Sequence, residues 1–114
     1  MKIKDDFKKY LTKGYKGPIP KNLKLSDIME HDLLFKYYPE LKDVAVEIVN
    51  RGMDYFGIYD DKENKIEINK DLTFFEPLKL DKKSTLSPEE QLKNIKERNR
   101  RMENELKGTL VHEP

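Results

Sequence analysis

The chain contains no cysteine, and only two of its 114 residues are histidine. Without cysteine it can form neither a disulfide framework nor a thiolate metal site, which is typical of proteins from reducing compartments such as the cytoplasm. Any catalytic or metal-binding group built on histidine must use His31 or His112. The two are far apart in the sequence, whereas zinc sites on one helix use histidines three or four residues apart.

Long apolar runs are also absent. No stretch approaches the roughly 18 apolar residues of a membrane-spanning helix, and the first residues, MKIKDDFKKYL, lack the apolar core of a signal peptide. We therefore expect a soluble protein of the cytoplasm that has no membrane partner.

Charge is abundant but balanced overall. Charged residues make up 39% of the chain and apolar residues 36%, and the net charge of +1 makes nucleic acid an improbable partner. The distribution is uneven, because residues 1–24 carry a net charge of +6 and residues 25–48 a net charge of −4. Two interpretations are open. The two segments pack together with complementary surfaces, or the first is a basic arm that contacts an acidic partner or nucleic acid.

The pattern of apolar residues predicts a single α+β domain over residues 1–114. We expect a basic N-terminal helix and loop over 1–21, a helix, strand and hairpin over 22–70, and a long C-terminal helix over 87–107. In the first helix the apolar positions are spaced by three and four residues. The following sequence, GYKGPIPKN, has the glycines and prolines of a loop. The predicted sheet is small and antiparallel, with about three strands.

The central helix is predicted to begin at Ser26, a good N-cap, and to stop near Pro39. Its stripe of apolar residues is broad, and we expect Leu34, Tyr37 and Tyr38 to lie in the core. Alternating apolar residues over 44–49 then predict a strand. Two further strands over 55–59 and 65–69 are joined by DDKEN, which predicts a hairpin.

The C-terminal helix has the clearest start signal, with Ser87 as its cap, Pro88 in the first position and Glu90 completing a capping box. Its apolar stripe is interrupted by Asn99. In heptad notation Asn99 occupies a central a position, where an asparagine can set the register of a two-stranded coiled coil. The helix therefore packs against its own sheet or, alternatively, forms a homodimer.

The order and spacing of residues between 25 and 46 resemble a known family. The residues that carry the resemblance are Leu25, Asp27, Ile28, Met29, His31, Leu34, Phe35, Tyr38, Pro39, Leu41, Asp43, Val44 and Val46. This pattern and the hairpin after it resemble large-polyvalent-protein-associated domains of phage and plasmid polyproteins, which are related to zincin-like metallopeptidases. The match covers about residues 22–70, and Asp32 stands where the family usually has proline.

The resemblance implies that a helix carrying an HExxH zinc motif follows the sheet. In that motif two histidines bind zinc and the glutamate acts as general base. His112 and Glu113 are similar to its first two residues and would take these roles only if the chain continued as HExxH. Without the second histidine we expect no metal, no cofactor and no hydrolysis.

The sequence therefore predicts a non-catalytic protein-binding accessory module of a phage or mobile element. One form of it is an anti-CRISPR-like inhibitor that covers the surface of a host defence nuclease. The alternative is an N-terminal fragment of a zincin-like metallopeptidase with an incomplete metal site. The expected binding residues are the basic side chains of the two outer helices: Lys2, Lys4, Lys8, Lys9, Arg98, Arg100 and Arg101.

Overall fold

The structure, a computed structural model, describes residues 1–111. Short elements form the N-terminal part of the fold: β1 (Lys2–Ile3), α1 (Asp5–Tyr10), β2 (Leu23–Lys24), α2 (Leu25–Ile28), β3 (Met29–Glu30) and α3 (Asp32–Tyr37). The remaining elements are a 3₁₀ helix (Pro39–Asp43), β4 (Ala45–Val49), β5 (Gly57–Asp60), β6 (Lys65–Asn69) and α4 (Pro88–Leu110). The predicted α+β class and the long C-terminal helix are confirmed.

The main sheet has four strands in the order β2-β4-β6-β5. The pair β5–β6 is antiparallel, as expected for the predicted hairpin, and its turn contains Asn64 at φ 52°. The pair β2–β4 is also antiparallel, although no strand was predicted at Leu23–Lys24. The central pair β4–β6 is parallel, which differs from the predicted antiparallel pairing. Alternation of apolar residues shows which face a strand buries but not which strand lies beside it, so the sequence pattern left this pairing undetermined.

One face of this sheet forms one side of the hydrophobic core. Val46 lies opposite Ile66 and Ile48 opposite Ile68, so the alternating apolar residues of the two central strands share a face. The apolar residues of the N-terminal segment and of α4 complete the core over this face: Ile3, Phe7, Leu11, Leu25, Ile28, Met29, Leu106 and Leu110. The predicted amphipathic N-terminal helix is confirmed as α1, and its segment is an integral part of the core.

The predicted central helix is divided into two. Met29 and Glu30 leave the helix and pair with β1, which buries Ile3 and Met29. A second helix then starts after His31, whose Nδ1 accepts a hydrogen bond of 3.3 Å from the backbone N–H of Leu34. The predicted N-cap, Ser26, lies inside α2. Helical spacing alone cannot reveal this break, because it is the pairing with residues near the N-terminus that stabilises it.

Tyr37 and Tyr38 were predicted to be core residues, and this prediction is wrong. Leu34 packs against the core as expected, but both tyrosines are more than half exposed. The helix is only six residues long and has one side on the protein. A stripe of apolar residues wider than one helix face therefore leaves some of them in solvent.

The two halves of α4 have different surroundings. Leu106 and Leu110 are buried. Thr109 lies so close to Gly57 that a Cβ atom added at position 57 would collide with the Thr109 side chain. In the amino-terminal half, no residue between 88 and 98 is buried. The structure measures 49 × 29 × 23 Å along its three principal axes. Packing of the helix against its own sheet is confirmed for the carboxyl-terminal half.

Residues 76–86, which we call the strap, run along α4. The amide of Asn99 donates to the carbonyl of Glu76 at 2.9 Å and accepts from its N–H at 2.8 Å. Gln91 accepts from the N–H of Asp81 and donates to the carbonyl of Leu86. The Asn99 side chain is thus used within the chain to hold the strap on the helix.

Asn69, at the end of β6, holds together the crossing from β4 to β5. Its side chain is fully buried, accepts hydrogen bonds from the N–H groups of Arg51 and Asp71, and donates to the carbonyls of Gly52 and Tyr55. Residues 50–56 must pass the end of β6, because β6 lies between β4 and β5. The Asn69 side chain supplies hydrogen-bond partners to backbone groups of this crossing, which are not paired with a neighbouring strand.

We predict that Asn69→Ala lowers the free energy of unfolding by about 2–4 kcal/mol, because it removes a buried side chain and the four hydrogen bonds that this side chain forms with the backbone. Urea denaturation measures this loss. Asn104→Ala, at an exposed position of α4, is the matched control and should change stability by less than about 0.5 kcal/mol. Equal effects of the two substitutions would contradict the role assigned to Asn69.

Candidate functional site

The N-terminal lysines predicted to bind a partner fall into two groups. Lys4 donates to the carbonyl of Ser26 at 3.2 Å, and Lys8 forms an ion pair of 3.0 Å with Glu103 on α4. Lys2 and Lys9 are exposed. The first group therefore stabilises the packing of the N-terminal segment and is less available to a partner. The N-terminal segment is a packed part of the domain.

The predicted arginines lie on the exposed side of α4. Arg98, Arg100 and Arg101 make no hydrogen bond or ion pair with any residue in the described part of the chain. Arg98 and Arg101 line a shallow groove of about 350 Å³ beside Phe56 and Met102. The structure therefore brings two of the predicted arginines to one apolar groove. Among the lysines, Lys8 is held to the same helix through Glu103.

The most exposed apolar cluster lies on α3 and the residue after it. Leu33 is 62% exposed, Tyr37 69% and Tyr38 55%, and we call these three residues the α3 patch. The helix beneath them is fixed, since Leu34 and Phe35 pack against the core and the N–H of Tyr38 bonds the carbonyl of Leu34 at 2.8 Å. The patch is thus an apolar surface presented by an ordered part of the fold.

The surroundings of the α3 patch are mostly acidic. The carboxylates of Asp32 before the patch and Glu40 after it are exposed. Lys36 lies over the ring of Tyr37, 5.9 Å from the ring centre. The patch also belongs to the segment 25–48, whose net charge is −4. An apolar surface within negative charge is suited to a partner that offers apolar groups and positive charge.

The opposite face of the main sheet carries a network of charged residues. Tyr55 donates a hydrogen bond of 2.7 Å to Glu67, which also pairs with Lys65 at 3.5 Å and Arg51 at 3.7 Å. The hydrogen bond from Tyr55, followed by these positive charges, lowers the pKa of Glu67 although burial opposes the shift. The same bond raises the pKa of Tyr55. Each side chain has its partners within the network, which therefore stabilises the sheet.

Among the described residues no zinc site is found. Residues 1–111 contain no group of three or more metal-binding side chains, and the Nδ1 atom of His31 is used to cap α3. His112 and Glu113 lie outside the described residues. The metallopeptidase-fragment alternative stays a prediction.

No helix among residues 1–111 has the length and apolar character needed to cross a membrane. Comparison with known proteins gave no match to a family model, to a curated protein or to a solved structure. The arguments for function therefore come from the residues and surfaces of this chain.

Sequence reasoning missed the α3 patch because it assigned the tyrosines to the core. A signal was nevertheless present. Eight apolar residues from Ile28 to Leu41 are too many for one face of a helix of this length. The acidic residues on both sides of Tyr37 and Tyr38 are also unusual neighbours for buried aromatic rings.

We predict that Glu67→Gln lowers the free energy of unfolding by about 1 kcal/mol at pH 7, where the carboxylate of the parent is charged. The folded-state pKa of Glu67 is below its usual value of about 4.3. Its contribution is therefore present above that usual value and is lost as the pH falls through the lowered folded pKa. The difference between variant and parent should shrink in the same range.

Urea denaturation between pH 7 and pH 3 tests this prediction. Glu63→Gln is the control, since Glu63 also pairs with Lys65, at 2.9 Å, but its side chain is well exposed and its loss should have a smaller effect. A Glu67→Gln difference that does not change with pH would contradict the assigned role.

Proposed function

We propose that this chain is a non-catalytic protein-binding module and that the α3 patch is its contact surface. The observation that supports this most strongly is the exposure of Leu33, Tyr37 and Tyr38 on a helix whose other side is anchored in the core. Contiguous exposed apolar side chains often mark sites of protein association. Tyrosine in particular is enriched among the residues that contribute most to binding.

The fixed position of α3, which carries the patch, favours binding. Side chains on a fixed helix lose less conformational freedom when a partner covers them than side chains on a mobile segment. The cap from His31 and the packing of Leu34 and Phe35 fix the position of α3 before any partner arrives. The module therefore needs little rearrangement to bind.

The acidic surroundings indicate the kind of partner. Nucleases that bind DNA or RNA have positively charged surfaces, because they must neutralise phosphates. An apolar patch flanked by Asp32 and Glu40 is complementary to such a surface. Together with the resemblance to phage and plasmid proteins, this leads us to propose an anti-CRISPR-like accessory protein that occludes a host defence nuclease in the cytoplasm.

The test is binding to purified defence nucleases with and without their guide RNA. We expect a complex at micromolar concentration and reduced cleavage of target DNA. Tyr37→Ala with Tyr38→Ala should weaken binding at least tenfold, which is the scale expected for residues at the centre of an interface. Size-exclusion co-elution and a cleavage assay measure both effects.

The matched control is Leu78→Ala with Leu80→Ala, which removes exposed apolar side chains from the strap. Each of the four substitutions should change stability by about 0.5 kcal/mol or less, because the side chains are exposed. The absence of a complex with every nuclease tested, or an equal loss in the control variant, would contradict the proposal.

A homodimer through the 87–107 helix is a second proposal, supported by the lack of buried residues in the amino-terminal half of α4. Leu92 and Ile95 are the half-buried apolar residues of that half and would lie in the interface. We expect sedimentation equilibrium to detect dimers at high micromolar concentration and Leu92→Glu to abolish them. A monomer at all concentrations would exclude this dimer.

A further inference from the structure

A second surface, separate from the α3 patch, combines aromatic rings with positive charge. The rings of Tyr10 and Tyr15 meet edge to face with their centres 5.5 Å apart. Lys9 Nζ lies 5.4 Å from the centre of the Tyr10 ring, and Lys70 Nζ lies 5.4 Å from the centre of the Tyr15 ring. These four residues form a continuous line, which we call the tyrosine–lysine surface.

The fold brings this surface together from distant parts of the sequence. Tyr10 ends α1, Tyr15 follows in the next loop, and Lys70 comes directly after β6. The N–H of Phe75 bonds the carbonyl of Leu11 at 2.9 Å, which ties the end of α1 to the segment after β6. The hydroxyl of Tyr15 donates to the carbonyl of Pro18 at 2.9 Å. The surface is therefore held in place before any ligand binds.

The charge on this surface is mainly positive. Within residues 1–111, Lys9, Lys13, Lys16 and Lys70 form no ion pair. Lys13 and Lys16 lie in the same loop as Tyr15 and are exposed. The nearest carboxylates in the sequence belong to Asp6, three residues before Lys9, and to Asp71, which is bound by the side chain of Asn50 and the N–H of Gly52 at 2.8 Å each.

We propose that the tyrosine–lysine surface binds single-stranded nucleic acid. Proteins that bind single strands without sequence preference combine positive charge along the backbone with aromatic rings on which bases stack. The bases of a single strand are available for stacking on Tyr10 and Tyr15, whereas those of a duplex are not. The overall charge of +1 masks this surface because acidic residues concentrate elsewhere, in residues 25–48.

This surface does not include the α3 patch, so the inference stands apart from the proposed protein partner. Its small size limits the number of phosphates to about four, one for each lysine, and predicts weak binding. For single strands the logarithm of the binding constant falls with the logarithm of salt concentration by about 0.7 for each phosphate neutralised, which gives a slope of about −3.

Fluorescence anisotropy of a labelled 15-nucleotide oligo(dT) at low salt, repeated at increasing salt, tests the inference. We expect a Kd in the micromolar range at low salt and a slope near −3. A duplex of the same length should bind several-fold more weakly in spite of its higher charge density. No change in anisotropy at low salt would overturn the inference.

Two sets of variants separate charge from stacking. Lys9→Gln with Lys70→Gln should weaken binding about tenfold and reduce the salt slope by about 1.4. Tyr15→Leu should weaken it at least fivefold without changing the slope, whereas Tyr15→Phe, which keeps the ring, should retain most of the affinity. Circular dichroism checks that each variant is folded.

Lys36→Gln with Lys42→Gln is the matched control, since it removes two exposed lysines from another part of the surface. We expect less than a twofold change. An equal loss in this control, or binding of heparin or duplex DNA as tight as that of oligo(dT), would show that only charge is being measured and would overturn the inference. Retained affinity in Tyr15→Leu would do the same.

Discussion

The buried amide of Asn69 is the interaction on which the sheet depends. β6 lies between the earlier strands β4 and β5, so the chain must cross the end of the sheet on its way from β4 to β5. At that end, hydrogen bonds between strands are not available. Asn69 satisfies four backbone groups of that crossing and of the segment after it. Its position at the end of β6 therefore allows β4 and β6 to pair in parallel with only 15 residues between them.

This rigid centre sets where function can lie. The inner face of the sheet is filled by the N-terminal segment and α4, and the outer face is occupied by the charge network around Glu67. Beside the exposed amino-terminal half of α4, two surfaces on the flanking elements remain, the α3 patch and the tyrosine–lysine surface. Both are formed by side chains whose backbone is fixed by packing or by hydrogen bonds, which is what a binding surface requires.

The elements with strong local signals could be predicted from the sequence. Ser87 caps α4, as its place before Pro88 and Glu90 indicates, and Asn64 takes the left-handed conformation expected in the hairpin. Features that depend on distant residues could not be predicted. The break at Met29 needs β1, and the contact between Lys70 and Tyr15 needs the end of β6 beside the loop after α1. Local pattern holds no information on such neighbours.

The lack of information on distant neighbours also explains why Tyr37 and Tyr38 were wrongly predicted to be buried. A helical stripe shows that apolar residues share a face, but the number that can be buried depends on how much protein lies beneath the helix. Beneath α3 there is room for Leu34 and Phe35 and not for Tyr37 and Tyr38. The arginines of α4, which were predicted to bind a partner, are exposed, and only the structure shows that Arg98 and Arg101 border an apolar groove.

The closing of the core by α4 has a consequence for synthesis on the ribosome. Ile3 and Phe7 are synthesised long before Leu106 and Leu110, which lie in the same core cluster. The apolar N-terminal segment and one face of the sheet therefore stay uncovered until the final turns of α4 leave the exit tunnel. During that interval the nascent chain exposes apolar residues that the folded protein buries, and its high density of charge opposes their association with other chains.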